Sequence, residues 1–263
     1  MKHLLEIAVK ASLAAGKRIM EIYENEDFEV DFKGDNSPLT KADLASHKII
    51  MSYLQDTGIP VLSEEGKDLC YEDRKNWKQL WIVDPIDGTK EFIKKNGEFT
   101  VNIALVENGI PIAGVVYAPA LNDLYIASLE IGSYLINLNE NMNTNVVSLM
   151  TMGNKLPIDR SDKTFTIVAS RSHMSPETQQ YVQEMELIYE KVNLISKGSS
   201  LKLCMVAEGK ANCYPRFAPT MEWDTAAGNA IVIAANKKVT LVDKITPLSY
   251  NKENLLNPYF IVS

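Results

Sequence analysis

The chain has 263 residues, 46% hydrophobic and 23% charged, enough for one large domain or two medium ones with a filled core. Its net charge of −7, from 34 acidic and 27 basic residues, argues against a nucleic-acid polymer as partner but leaves room for a small anionic ligand in a local basic pocket. Cys70, Cys204 and Cys213 are widely spaced and the three histidines scattered, so neither a disulfide framework nor a zinc cluster is indicated.

Glu6 and Lys10 interrupt the apolar stretch that a signal peptide needs. The longest uncharged run, 108–122, is too short and too broken by proline for a membrane span. These features predict a cytoplasmic protein, free or at the inner-membrane surface, whose oligomeric state the sequence leaves open.

In chain order, Leu4, Leu5, Ala8, Ala11, Leu13, Ile19 and Ile22 predict an amphipathic helix over 2–24. Phe28, Val30 and Phe32 alternate with acids as a short strand. Thr40 caps a second helix, with Leu44, Ile49, Ile50 and Leu54 on its apolar side and Gly58 ending it. IPVLS (59–63) reads as a strand that stops at Glu64 and Glu65. Leu80 to Val83 form a buried strand that runs into Asp84-Pro85-Ile86-Asp87-Gly88-Thr89. FTVNIALV, PIAGVVYA, LYIAS and SYLIN follow as an antiparallel meander, the first pair joined by Glu-Asn-Gly. Residues 141–162 read as a connecting segment between an N-terminal α+β part (1–140) and a C-terminal α/β part (163–263). In the latter, strands TFTIVAS, VNLIS, ANCYP, VTLVD and YFIVS alternate with helices near 176–187, 200–207 and 225–235.

Why a buried strand should end in two carboxylates is the central question, because a carboxylate near a core is costly unless paired. A metal ion, a basic partner or a wet surface turn would each answer it. Pro85 keeps Asp84 extended and outside a strand ladder, and Gly88 permits a sharp turn into the short helix GTKEFIKK. Strand ends of this kind are where open α/β sheets place their sites. Alone, Asp-Pro-x-Asp-Gly is more often a capped surface turn. Two further acid clusters shift the balance: Ser63-Glu64-Glu65, again at a strand end, and Trp223-Asp224, before a helix apolar all round. An acid before such a helix is, taken alone, as readily a cap as a ligand.

SEE at 63–65, DPIDGT at 84–89 and WDTAAG at 223–228 together resemble the magnesium-dependent, lithium-sensitive phosphatases of the inositol monophosphatase superfamily, over essentially the whole chain. The resemblance implies a layered αβαβα sandwich of the sugar-phosphatase type, an α/β (α+β) fold with antiparallel and mixed sheets and helix pairs. It implies metal ligation by Glu64, Asp84, the Ile86 carbonyl, Asp87 and Asp224, holding two or three Mg²⁺ ions with Mn²⁺ as a substitute; all-oxygen donors suit either ion. It also implies that Thr89 and Asp43, with Glu64, serve catalysis, that Gly88 and Thr89 face the phosphate, and that Lys33 approaches it. By itself, Asp43 reads as a first-turn acid favoured by the helix dipole.

Within that superfamily SPLTKAD, DPIDGTKEFIKKNGEFTVNIALV and GVVYAPA most resemble the CysQ-type 3'(2'),5'-bisphosphate nucleotidases. That likeness implies removal of the 3'-phosphate of adenosine 3',5'-bisphosphate, and of its 5'-phosphosulfate analogue. The phosphate away from the metals needs its own partners. Candidates after strand ends of the C-terminal half are Arg171, Ser172 and His173, then Ser199, Ser200 and Lys202, then Tyr214 and Arg216, with Asp224 beside the substrate. Each basic residue has a plainer reading as a solvated surface charge. The alternatives are an inositol monophosphatase or another small phosphate-ester phosphatase, a fructose-1,6-bisphosphatase (normally longer), and a non-catalytic metal- or nucleotide-sensing protein.

Overall fold

Small side chains on one helix face let a helix lie close against a sheet, and α1 (Lys2–Glu24) is built that way. Ala8, Ala11, Ala15 and Gly16 share its buried stripe with Leu5, Val9 and Ile19. A Cβ on Gly16 would stand 2.2 Å from Tyr117 Cε1, so only glycine fits against that ring. The computed structural model describes residues 1–25, 30–32, 38–66, 69–139, 144–158, 164–169 and 174–263. Lys33, Arg171, Ser172 and His173 lie outside the described residues.

Strands β1 (Val30–Phe32) and β2 (Pro38–Thr40) pair antiparallel ahead of α2 (Lys41–Leu54). Thr40 and Asp43 form a reciprocal capping box there. The buried face of α2 is Ala42, Asp43, Ser46, Ile50 and Leu54. Leu44, expected inward, is instead 42% exposed. Its inward place belongs to Asp43 and Ser46, which are polar because that face meets the acid-bearing turn.

The first sheet takes β3 (Val61–Ser63), β4 (Gln79–Asp87), β5 (Thr100–Glu107), β6 (Ile110–Ala118), β7 (Asp123–Ser128), β8 (Gly132–Asn137) and β9 (Asn154–Lys155), in that spatial order. Only the β3–β4 pair is parallel. The expected meander is therefore present, and Asn108 and Gly109 make its first turn with φ of 49° and 79°. Short helices α3 (Tyr71–Arg74) and α4 (Thr89–Ile93) flank β4, and α5 (Val146–Met152) precedes β9. Both faces of β4 are buried: Leu80 and Ile82 enter one core, Trp81 and Val83 the other. Fully burying such side chains contributes about 1.5–3 kcal/mol each, which offsets the cost of carrying Asp84 inside.

The second sheet is built from β10 (Phe165–Ala169), β11 (Val192–Ser196), β12 (Tyr214–Arg216), β13 (Val239–Leu241) and β14 (Phe260–Val262). β10 and β11 are parallel, β12-β14-β13 antiparallel, and an isolated bridge from Ile167 to Cys213 joins the two groups. One face of it, with Val168, Tyr214, Phe260 and Val262, packs on α7 (Leu201–Ala207) and α8 (Ala226–Ala234). The other, with Ile167, Cys213 and Ile261, packs on α6 (Pro176–Ile188) through Tyr181 and Met185. The layers run α1 and α2, first sheet, α7 and α8, second sheet, α6: the expected αβαβα sandwich.

Helix α8 lies against the first sheet so closely that a Cβ on Gly114 of β6 would stand 2.7 Å from the Ala227 carbonyl. Within 141–162, α5 buries Val146 and Leu149 against the α1 side of the first sheet, and β9 pairs with β8. Those residues share the layers of the N-terminal half.

Candidate active site

Asp84 and Asp87 stand at the end of β4, where the register with β5 shifts between them. β4 thus continues through the proline, but Pro85 and Ile86 have no partner across the ladder; proline lacks the N–H that a ladder position needs. The bulge is tied down by Asp84 Oδ1, which accepts from the Ile86 amide at 3.1 Å. Ser46 of α2 donates to the Pro85 carbonyl at 2.8 Å. Asp224, just before α8, accepts the Met221 amide at 2.8 Å, while the first turn of α8 has no side-chain cap. Its capping role is therefore excluded.

The carboxylate oxygens of Asp84, Asp87 and Asp224 lie within 4.8 Å of one another. Glu64 extends the β3–β4 pairing, its amide donating to the Val83 carbonyl at 3.1 Å, and its side chain hydrogen-bonds Asp84. Glu65 bears on Asp43 and His47 instead. Burial first, then the charges of Glu64, Asp87 and Asp224, holds the Asp84 carboxyl well above the usual range. Burial and the neighbouring Asp87 push Asp224 up to about 8. Among the described residues no basic side chain ion-pairs with Asp84, Asp87 or Asp224. A clustered, hard-oxygen donor set with no direct ion pair, and only the more distant charges of Lys202 and Arg216 acting on Asp87 and Asp224, fits a divalent cation and does not fit a buried ion pair.

Beside the acids, Thr89 Oγ1 donates to Asp43 Oδ1 at 3.2 Å, with the Ile86 carbonyl a second acceptor at 3.3 Å. Asp43 Oδ2 accepts from both the amide and the hydroxyl of Thr40. Burial raises the Asp43 carboxyl above its ordinary value, and the Thr40 bonds oppose that shift. Gly88 turns the chain with φ of 95°.

A pocket of about 370 Å³ opens from this cluster; its lining includes Asp87, Gly88 and Asp224 as well as Lys202, Tyr214 and Arg216, with Glu98 among the remaining residues. Lys202 is buried, its ammonium 5.6 Å from the centre of the Tyr214 ring. It donates to the carbonyls of Ser199 at 2.6 Å and Lys197 at 3.3 Å. Burial lowers its pKa to about 8. Arg216 donates to the Pro219 carbonyl at 2.8 Å.

Ser200, expected to face substrate, faces the acids. Its Oγ lies 2.7 Å from Asp87 Oδ2 and 2.8 Å from the Asp224 carbonyl, and accepts from Asn102 Nδ2 at 2.8 Å. Asn102 also reaches Asp87 Oδ2 at 3.3 Å. The sequence reading missed Asn102 and Ser46. A lone Asn in the apolar run TVNIALV was the available signal.

The inositol monophosphatase family model matches residues 1–258. The chain belongs to the inositol monophosphatase family. A 3'(2'),5'-bisphosphate nucleotidase CysQ of Shigella flexneri is 44% identical over 99% of each chain. Its counterpart in Escherichia coli K12 is 42% identical over the same share. Among solved structures, CysQ from Bacteroides thetaiotaomicron, a bacterial member of the family, superposes with a TM-score of 0.92 at 49% identity, covering 100% of this chain and 97% of its own. The expected fold and the expected class, a phosphate-ester hydrolase, stand with the family.

Proposed function

We propose that this phosphatase removes the 3'-phosphate of adenosine 3',5'-bisphosphate, and of its 5'-phosphosulfate analogue, with Mg²⁺ as cofactor and the cytoplasm as its location. One observation carries the substrate reading: a single pocket is lined both by carboxylates fit for cations, its acid wall, and by Lys202 and Arg216, its basic wall. A ligand with one reacting phosphate and a second anionic group matches both walls. An inositol monophosphate leaves the basic wall without a partner. The names of the CysQ relatives agree with this choice.

Glu64, Asp84, Asp87, Asp224 and the Ile86 carbonyl would hold the metal. When bound, magnesium supplies positive charge to the phosphoryl oxygens and lowers the pKa of water. Thr89 Oγ1, donating to Asp43, keeps lone pairs free to take a proton from the attacking water while its own proton passes to Asp43 Oδ1. The elevated pKa of Asp43 suits it to receive that proton. Gly88 and Thr89 border the reacting phosphate. Lys202, with two of its three N–H donors on carbonyls, has a third for the far phosphate beside Arg216.

A panel of phosphate esters assayed with Mg²⁺ tests the whole reading. The bisphosphate should be the best substrate, and a chelator should stop turnover. Preference for inositol 1-phosphate would replace the nucleotide assignment, and no phosphate release from any ester would leave a metal- or nucleotide-sensing protein.

A further inference from the structure

The loop that holds Lys202 is itself held from the other half of the molecule. The two carbonyls on the Lys202 ammonium belong to Lys197 and Ser199, which flank Gly198. Ser199 adopts a left-handed backbone, φ 46°, that a serine does not favour. The conformation therefore needs an external restraint, and the described contacts supply one in Glu98. Its Oε2 accepts the Gly198 amide at 2.8 Å and its Oε1 pairs with Lys197 Nζ at 3.3 Å.

Two glycines, one from each half, press on this one residue. A Cβ on Gly198 would stand 2.8 Å from both Glu98 Cβ and the Glu98 carbonyl. A Cβ on Gly88, in the acid-bearing turn, would stand 3.1 Å from that same carbonyl. Glu98 is thus wedged between the turn that cradles the reacting phosphate and the loop that aims Lys202.

We propose that Glu98 is a positioning residue for Lys202 and so sets discrimination between substrates with and without a second phosphate. The inference rests on the bisphosphate reading for its consequence in substrate choice, but not for its structural content. Glu98 lines the same pocket, but its carboxylate is engaged by the Gly198 amide and by Lys197. Its carboxylate fixes Gly198, Gly198 fixes the flanking carbonyls, and these fix the ammonium.

The test compares Glu98→Ala, Glu98→Gln and Lys202→Ala. Each is assayed on adenosine 3',5'-bisphosphate and adenosine 3'-monophosphate, with amine-specific labelling of Lys202 read by mass spectrometry. In Glu98→Ala, kcat/KM for the bisphosphate should fall about 10-fold, through KM, with monophosphate turnover changing much less. Lys202, protected in the wild type, should become reactive. Glu98→Gln keeps an oxygen for the Gly198 amide and should restore most of both properties. Equal losses on the two substrates, or a Lys202 as protected in Glu98→Ala as in wild type, would overturn the proposal. If labelling rises while Lys202→Ala keeps the bisphosphate preference, the positioning stands and the phosphate assignment of Lys202 falls.

Discussion

The two walls of the pocket are built in opposite ways. On the acid wall, carboxylates project from strand and helix ends and are held directly by donors: Ser46 of α2 on the bulge, Asn102 of β5 on Asp87, and Ser200, just before α7, on Asp87. On the basic wall, Lys202, in the first turn of α7, is aimed by carbonyls of the loop before it, and that loop is braced by Glu98. Both walls are displaced toward neutrality: Asp84 and Asp224 are pushed up, Lys202 down. The two sides act on each other, Asp87 and Asp224 raising the Lys202 pKa and Arg216 lowering that of Asp224, but burial outweighs this on both, which leaves a role for a bound cation at one and a bound anion at the other. The difference lies in the restraint: the acids are held directly by side-chain and amide donors, whereas Lys202 is aimed by carbonyls that Glu98 braces in turn.

The sharpest way to break the comparison is Asp84→Asn. If the acid wall exists to hold cations, kcat/KM should drop by at least about 10³-fold with the fold retained, since charge stabilisation of the transferred phosphoryl group is the main catalytic contribution. The metal-free protein offers a second readout. Asp224 binds a proton in the folded state up to about 8 but at its ordinary value of 3.8 when unfolded, so between those pH values the native state holds more protons. Stability of the metal-free wild type should therefore fall as pH rises from about 4 to about 8, measured as Tm. Saturating Mg²⁺ should abolish that slope and raise Tm. Asp84→Asn should flatten the slope and lose much of the metal-induced rise. Near wild-type activity in this variant would refute the metal assignment.

On the basic wall the expected effect is smaller. Lys202→Ala or Arg216→Ala removes a charge-assisted contact of roughly 1.5–3 kcal/mol, a fall of about 10- to 150-fold in kcat/KM for the bisphosphate. The 3'-monophosphate should lose less. The wild-type preference for the bisphosphate should also decline as pH rises through about 8, where Lys202 loses its proton. Equal losses on both substrates for Arg216→Ala would move that side chain to the reacting phosphate or into the fold.

Smallest is Ser200→Ala, which separates the walls most finely. Ser200 sits on the loop side but bonds to Asp87, so its loss should weaken Mg²⁺ binding by about 10-fold, read from Tm against metal concentration. The bisphosphate-to-monophosphate ratio should hold. A changed ratio with unchanged metal affinity would return Ser200 to the substrate, as its sequence position first suggested.

Much of this was legible in the chain because it is local. The cap on α2 is a Thr followed three residues later by Asp, the first hairpin is Asn-Gly, and the α1 stripe has the helical period. Leu44 misled because apolar spacing says which residues are greasy but not which face is covered. Asp43 and Ser46 are buried on that helix because the DPIDGT turn lies against them.

The sequence by itself determined where the acids sit along the chain, where strands stop and where the backbone must turn, since these depend on residues a few positions apart. The family resemblance already grouped Asp224 with Asp84 and Asp87; only the tertiary structure decided that Ser200 bonds to an Asp 113 residues away and that Glu98 braces the loop before Lys202. The physical reason is that those contacts form only when α7 and α8 are packed between the two sheets. A charge's neighbours, and hence its pKa and its role, are set by that packing and by no short-range pattern.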